Sequence, residues 1–192
     1  QGQIRQAQQR ILDVVVGSEV QRSDRLRLAN LSRRAGLVVY SLKLLNKIIN
    51  TDQYDLLMAS PLEIISYSAG LSLMGATAEA EKRLNAIDTN TYPEALLHTA
   101  FLHISNWQYQ KSIPYLKKYS KHPNVSPYQK IVAKVNLLAC YLFVQKSKKF
   151  LKNSDRLLKL CIKNSYQLLA GNILEMQAQY YILSDQLSIA DV

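Results

Sequence analysis

The side chains best suited to catalysis or metal binding are few in this sequence. They are His98, His103, His122, Cys140 and Cys161. Glu94 lies four residues before His98 and would share a helical face with it, but a metal site needs three or four converging ligands. The sequence contains no Gly-rich phosphate loop, no paired-cysteine motif and no nucleophile elbow. We therefore predict a protein that is not an enzyme and uses no cofactor. The alternative is an enzyme or metalloprotein that depends on His98 and His103.

A long basic region is the second chemical feature. The 192 residues include 24 basic and 14 acidic side chains, a net charge of +10, and residues 95–154 contain no Asp or Glu. Such a region attracts nucleic acid, anionic membranes or acidic proteins, although it can also be an ordinary solvated helix face. Lysine predominates over arginine, which does not favour bidentate recognition of phosphate or guanine. The predicted polyanion patch consists of Lys111, Lys117, Lys118, Lys121, Lys146, Lys148, Lys149 and Lys152.

The composition indicates the kind of element that carries these side chains. Apolar residues make up 48% and charged residues 20% of the chain, with only 6 Gly and 5 Pro, which favours an all-α fold over a turn-rich β-sandwich or barrel. The apolar runs are too short to span a membrane. Two cysteines in a chain of this size are typical of reduced, buried thiols, so we expect a cytoplasmic protein.

A repeated pattern orders the helices. A small residue is followed by an apolar residue four positions later and another small or apolar residue seven positions later. We call the small residues the anchors, and they are Ser41, Ala80, Ser112, Ser154 and Ala190. Their spacing of 32 to 42 residues centres near the ~34 residues of a helix–turn–helix repeat. Gly36 and Gly75 lie five residues before their anchors, where a left-handed residue can end a helix. Trp107 and Lys149 occupy that position in the next two copies.

A second amphipathic stretch precedes each anchor, so each repeat is predicted to be a pair of helices. Capping-box sequences begin two of these stretches, at Ser60–Glu63 and Ser126–Gln129. The predicted repeats cover residues 21–51, 60–89, 91–123, 126–163 and, incompletely, 165–192. Residues 1–20 precede them, with an apolar stripe over 3–16 that predicts an N-terminal capping helix or a partial repeat.

The segment from Asn106 to Leu116, with its Trp107 and Tyr109, resembles the turn and second helix of the tetratricopeptide-repeat (TPR) family. Leu31–Gly36 and Leu71–Gly75 resemble the ends of its first helices, and the likeness extends over residues 21–192. The resemblance implies a right-handed α-solenoid of about four to five antiparallel helix pairs. It also implies a concave groove, lined by the first helix of each pair, that binds a peptide or partner protein.

The resemblance further implies which side chains line the groove. They are Asn30, Arg33, Arg34, Leu97, Phe101, Ile104, Asn136, Phe143, Asn172, Glu175 and Gln179. Asn30 and Arg34 resemble part of the family's clamp for the terminal carboxylate of a peptide. Leu26 stands where the family has a lysine, and Ser66 and His98 replace other polar members of the clamp.

Two functions are therefore expected for the chain. The first is a non-catalytic interaction scaffold that binds a peptide or partner segment in the groove. Because the fifth repeat is incomplete, we expect the scaffold to belong to a larger protein. The alternative is a basic solenoid arm of a regulator that associates with nucleic acid or another polyanion through residues 111–163.

Overall fold

The computed structural model describes residues 2–17, 19–50, 58–145 and 147–184. These residues form ten helices and no strand, which confirms the prediction of an all-α protein. The helices are α1 (Gly2–Gly17), α2 (Arg22–Arg34), α3 (Val38–Ile49), α4 (Pro61–Leu73), α5 (Thr77–Asn85), α6 (Glu94–Ser105), α7 (Tyr109–Lys121), α8 (Pro127–Phe143), α9 (Ser147–Lys163) and α10 (Gln167–Leu183). None of the helices described has the length and apolar character needed to cross a membrane.

The chain divides into two compact units, Gln1–His98 and Thr99–Val192. In the first unit, α2 packs on α3, α3 on α4 and α4 on α5, and α2 also contacts α4. In the second unit, α8 packs on α7, α9 and α10, and α9 packs on α10. In both units, therefore, helices contact their neighbours in the chain, and α2 and α4, like α8 and α10, contact each other across one intervening helix.

The N-terminal helix makes a thinner contact than its apolar stripe predicts. α1 packs on α2, and the Gln8 side chain donates a hydrogen bond from Nε2 to the Ala35 carbonyl at 2.7 Å. Ile11 and Val15 are half-buried, but Ile4 is 62% exposed and Val14 is 45% exposed. The apolar stripe of α1 is therefore only partly buried by the described residues.

The anchor prediction is confirmed at four positions. Ser41, Ala80, Ser112 and Ser154 are all 0% exposed, and they lie in α3, α5, α7 and α9. Ala190 lies outside the described residues. A small side chain is needed at such positions because neighbouring helices approach closely there. Gly70 in α4 meets the same requirement, since a Cβ atom at this residue would lie 2.8 Å from a methyl carbon of Leu42 in α3.

Left-handed residues follow every second helix from α2 to α8. Gly36 and Gly75 have φ of +81° and +83° as predicted, and Trp107 has φ of +59°. Lys149, which stands five residues before the fourth anchor, departs from this pattern, because it lies inside α9 and Gln145, with φ of +55°, takes the left-handed position. The reason is one additional helical turn. Ser154 is the eighth residue of α9, whereas Ser41, Ala80 and Ser112 are each the fourth residue of their helices.

The first turn of α4 joins a helix cap to an ion pair. Ser60 and Glu63 form a complete capping box, as predicted. The buried Glu63 carboxylate also accepts hydrogen bonds from both terminal nitrogens of Arg22 in the first turn of α2, with Nη2 at 2.8 Å from Oε2. This ion pair holds the beginnings of α2 and α4 together.

At α8 only half of the predicted capping box is present, with the Ser126 hydroxyl accepting a hydrogen bond from the Gln129 N–H at 3.3 Å.

Candidate functional site

Polar side chains of α2, α4 and α6 come together in the first unit. Asn30 and Arg33 lie on one face of α2, and the Arg33 Nη2 atom is 3.5 Å from the Asn30 Oδ1 atom. The same Oδ1 accepts a hydrogen bond from the Ser66 hydroxyl of α4 at 3.0 Å. Arg34 and His98 complete this group, which we call the α2–α4–α6 cluster. Its α2 residues belong to the predicted groove set, and the structure joins them to Ser66 and His98.

Two positive charges, those of Arg33 and Arg34, lie side by side in the α2–α4–α6 cluster and affect the pKa values of its members. Burial lowers the pKa of Arg33, and the neighbouring Arg34 lowers it further. Burial lowers the pKa of His98 to about 4, and Arg33 and Arg34 add to this shift, so the imidazole is neutral at pH 7.

The cluster has no internal counter-ion among the described residues. Their two ion pairs, Arg22–Glu63 and Glu79–Arg83, involve neither Arg33 nor Arg34. The Arg33 Nε atom is buried without a hydrogen-bond partner in the described part of the chain. An arrangement of two guanidinium groups with an unpaired buried donor is suited to a carboxylate or phosphate.

The other predicted groove residues have mixed environments. Leu97 is only 9% exposed and belongs to the core, because it lies on the packed side of α6, so its prediction as a groove residue is corrected. Phe101 and Ile104 are half-buried. Asn136 donates a hydrogen bond to the Val132 carbonyl of its own helix at 2.9 Å.

On α10, two of the three predicted groove residues contact each other. Gln179 Nε2 lies 3.4 Å from Glu175 Oε1, and Glu175 and Asn172 are exposed. This hydrogen bond lies within one helix turn and does not connect α10 to the α8 residues of the predicted set. α8 and α10 therefore contribute polar groups, but no described hydrogen bond gathers them into one site.

Phe143 belongs to an exposed aromatic cluster that the sequence interpretation missed. Its ring stacks on Tyr109 with centroids 4.6 Å apart, and Tyr109 meets Trp107 edge-on at 6.1 Å. Trp107 is 77% exposed and Phe143 is 45% exposed. Trp107 also occupies a left-handed turn, where a bulky side chain is disfavoured. The resemblance assigned Trp107 to a turn, and only the folded chain places it beside Phe143.

The predicted lysine patch is distributed over several surfaces. Its described members are all exposed. Lys117 and Lys121 line a groove of about 540 Å³, whereas Lys148 and Lys149 line a smaller pocket of about 370 Å³. Lys111, Lys118 and Lys152 line neither of these, and Lys146 lies outside the described residues.

The larger of the two, which we call the α7–α9 groove, has basic and apolar components from three helices. Six of its lining residues are cations and are called the rim cations: Lys117, Lys121, Lys134, Arg156, Lys159 and Lys163. Five others form the apolar floor: Leu137, Leu138, Tyr141, Leu157 and Leu160. Four of the rim cations were outside the predicted patch. The spacing of Arg156, Lys159 and Lys163 by three and four residues was the available signal, because it places them on one helical face.

The cysteines and histidines that the sequence singled out for chemistry have structural contacts. Cys140 is 0% exposed with its Sγ atom 3.0 Å from the Ser112 hydroxyl, and Cys161 is also 0% exposed. Burial raises the pKa of both thiols, which makes them poor nucleophiles. His103 is buried against Tyr115 and lies 3.1 Å from the Gln108 side chain. Within the described ranges, no three His, Cys, Asp or Glu side chains are grouped to hold a metal ion.

Comparison with protein-family models, with curated proteins and with solved structures finds no match to this chain.

Proposed function

We propose that this chain is a non-catalytic, TPR-like α-solenoid that binds a segment of a partner protein through a carboxylate. The observation that carries the proposal is the α2–α4–α6 cluster, in which two guanidinium groups lie beside an amide, a hydroxyl and a neutral imidazole, and no carboxylate of the described residues pairs with either guanidinium. In the proposed solenoid, these three helices are the first helices of the first three repeats and line its inner wall.

Three features of packing support the solenoid part of the proposal. The four described anchors are fully buried, the left-handed turns recur, and consecutive helices contact each other from α1 to α5 and from α7 to α10. Tandem repeats produce this pattern because each repeat buries its apolar face against the next. The proposal places the scaffold in the cytoplasm, which the two unpaired, buried cysteines support.

The chemistry of binding follows from the donors of the cluster. Arg33 and Arg34 would donate charge-assisted hydrogen bonds to the ligand carboxylate, with the Arg33 Nε atom gaining the partner it lacks. Asn30 accepts from Ser66 through Oδ1, which orients its Nδ2 donor toward a backbone carbonyl of the same ligand. His98 is neutral at pH 7, so the two arginines supply the positive charge that attracts the carboxylate.

A peptide library with free C-terminal carboxylates, compared with the same library amidated at the C terminus, tests this function. We expect the protein to retain the free carboxylates preferentially. Replacing Arg33 and Arg34 together by Ala should weaken their binding by at least roughly 10- to 100-fold, because the loss of a single charge-assisted hydrogen bond already has an effect of that size. Arg27→Ala is the matched control, because Arg27 is an exposed arginine of α2 outside the cluster. Equal retention of amidated peptides, or an equal loss in the Arg27 variant, would contradict the proposal.

Association with nucleic acid is the second candidate function. The observation in its favour is that every described lysine of the predicted patch is exposed, in a region without acidic neighbours in sequence. Backbone phosphates bind to such lysines without sequence specificity.

A further inference from the structure

The α7–α9 groove is a second surface, independent of the α2–α4–α6 cluster. α7 and α9 both pack on α8, and the groove is lined by residues of all three helices. Its volume of about 540 Å³ is within the range of ligand-binding clefts. Residues of α8 and α9 form its apolar floor, on which Leu160 is 36% exposed.

The described residues that line the groove carry charges of one sign. They include the six rim cations and no acidic residue. Asp155 is the only acidic residue between Glu94 and Glu175 in the sequence. Its Oδ1 atom accepts a hydrogen bond from Gln177 of α10 at 2.8 Å, and Asp155 does not line the groove. No carboxylate among the described lining residues neutralises the rim cations, so they are available to the carboxylates of an acidic partner.

The floor selects among acidic partners. Leu160 is its accessible leucine, whereas Leu137, Leu138 and Leu157 are at most 7% exposed, and a leucine has no favourable contact to offer a phosphodiester backbone. Tyr141 is the only aromatic residue of the floor, and it is 8% exposed with the Lys149 ammonium 6.0 Å from its ring centroid, so a base cannot stack on it. A polyanion would use the rim and leave the floor uncovered, whereas an amphipathic acidic peptide uses both.

We infer that the α7–α9 groove binds an acidic amphipathic segment of a partner protein. The apolar side chains of the partner segment lie on the floor around Leu160, and the Glu or Asp side chains of that segment pair with the rim cations. The arrangement is that of an amphipathic helix in a groove, with the rim providing charge complementarity and the floor providing apolar contact.

The test uses the intact chain and a fluorescent peptide of Leu and Glu, with Leu at helical spacing so that one face is apolar. Its binding is compared with that of a scrambled peptide of the same composition, a poly-Glu peptide and a single-stranded DNA. We expect the amphipathic peptide to bind more tightly than the other three. Arg156→Glu with Lys159→Glu should weaken its binding roughly tenfold or more, because rim attraction becomes repulsion. Leu160→Ser should weaken it while leaving poly-Glu binding unchanged.

A matched double substitution distinguishes binding at the groove from attraction by the positive charge of the protein as a whole. Lys111→Glu with Lys148→Glu makes the same change in net charge at exposed residues that do not line the groove. Equal weakening by the two charge-reversed pairs would overturn the inference, as would equal affinity for the scrambled peptide. Preferential binding of the DNA that persists in Leu160→Ser would assign the surface to nucleic acid instead. Arg33→Ala with Arg34→Ala should leave binding at the groove unchanged, so failure here is distinct from failure of the proposed function.

Discussion

Two side chains show how burial and like charge act together at the residue scale. Arg33 is half-buried next to Arg34, and its guanidinium remains charged although both effects lower its pKa. His98 responds differently, because an imidazole can lose its proton at ordinary pH, so burial and the two arginines make it neutral. The cluster thus keeps two positive charges and loses a third at pH 7.

Removing the titration of His98 should change the pH dependence of stability. The folded pKa of about 4 is below the ordinary value of 6.5, so between these values the unfolded chain binds a proton that the folded chain does not. The free energy of unfolding should therefore be greatest above pH 6.5 and fall toward pH 4, by on the order of 3 kcal/mol from this group. His98→Gln should lose this component in denaturant titrations across the interval.

His122→Gln is the control for this prediction, because His122 lies in the turn after α7 and not in the cluster. Carboxylates that titrate in the same interval contribute equally to both variants and cancel in the comparison. A pH dependence in His98→Gln equal to that of the unmodified protein would contradict the assignment of His98 as a neutral, buried imidazole.

At the scale of the element, the left-handed turns control where helices end. The N–H groups that follow Gly36, Gly75, Trp107 and Ser165 each return to a carbonyl at the end of the preceding helix, for example Ala76 to Leu71 at 2.9 Å. Glycine is the residue best suited to this conformation, yet Trp107, Gln145 and Ser165 adopt it with larger side chains. The backbone strain of the left-handed conformation is therefore greater at the turns that carry a side chain than at the glycine turns.

Exchanging glycine and non-glycine residues at two turns should have opposite effects on stability. Gly75→Ala should lower the free energy of unfolding by about 1 kcal/mol, because its φ is positive while a Cβ there meets no atom within 4 Å. Gln145→Gly should raise it by about 0.5–1 kcal/mol, since its backbone is already left-handed. Urea unfolding measures both changes. Asn172→Gly in α10 is the control and should lower stability by roughly 0.3 kcal/mol, because glycine is a poorer helix former than asparagine. A loss of stability in Gln145→Gly comparable to this control would refute the turn assignment.

Charge is asymmetric at the scale of the whole molecule. Residues 1–98 contain 11 basic and 10 acidic side chains, a net charge of +1, whereas residues 99–192 contain 13 basic and 4 acidic ones, a net charge of +9. Nearly all of the positive field therefore originates in the second unit. Such a field accelerates encounter with acidic partners of any class, and contacts at close range decide which class is retained.

A salt titration tests whether nucleic acid is one of these partners. If it is, the logarithm of the affinity for DNA should fall linearly with the logarithm of the salt concentration, because neutralised phosphates release counterions. Replacing Lys148, Lys149 and Lys152 by Glu should abolish the binding, measured by fluorescence anisotropy. Affinity that does not depend on salt, or an absence of binding at low salt, would exclude this function.

The sequence by itself determined the helices, the buried anchors and the glycine turns. These follow from spacing within one segment, where helical geometry relates residues three, four and seven apart. Only the tertiary structure decided that Leu97 belongs to the core, that α9 begins one turn early and that Trp107 lies beside Phe143. It also assembled Lys134 of α8 and Arg156 of α9 on one groove. Such groupings depend on how helices pack against each other, and that packing is decided by contacts between side chains far apart in the chain.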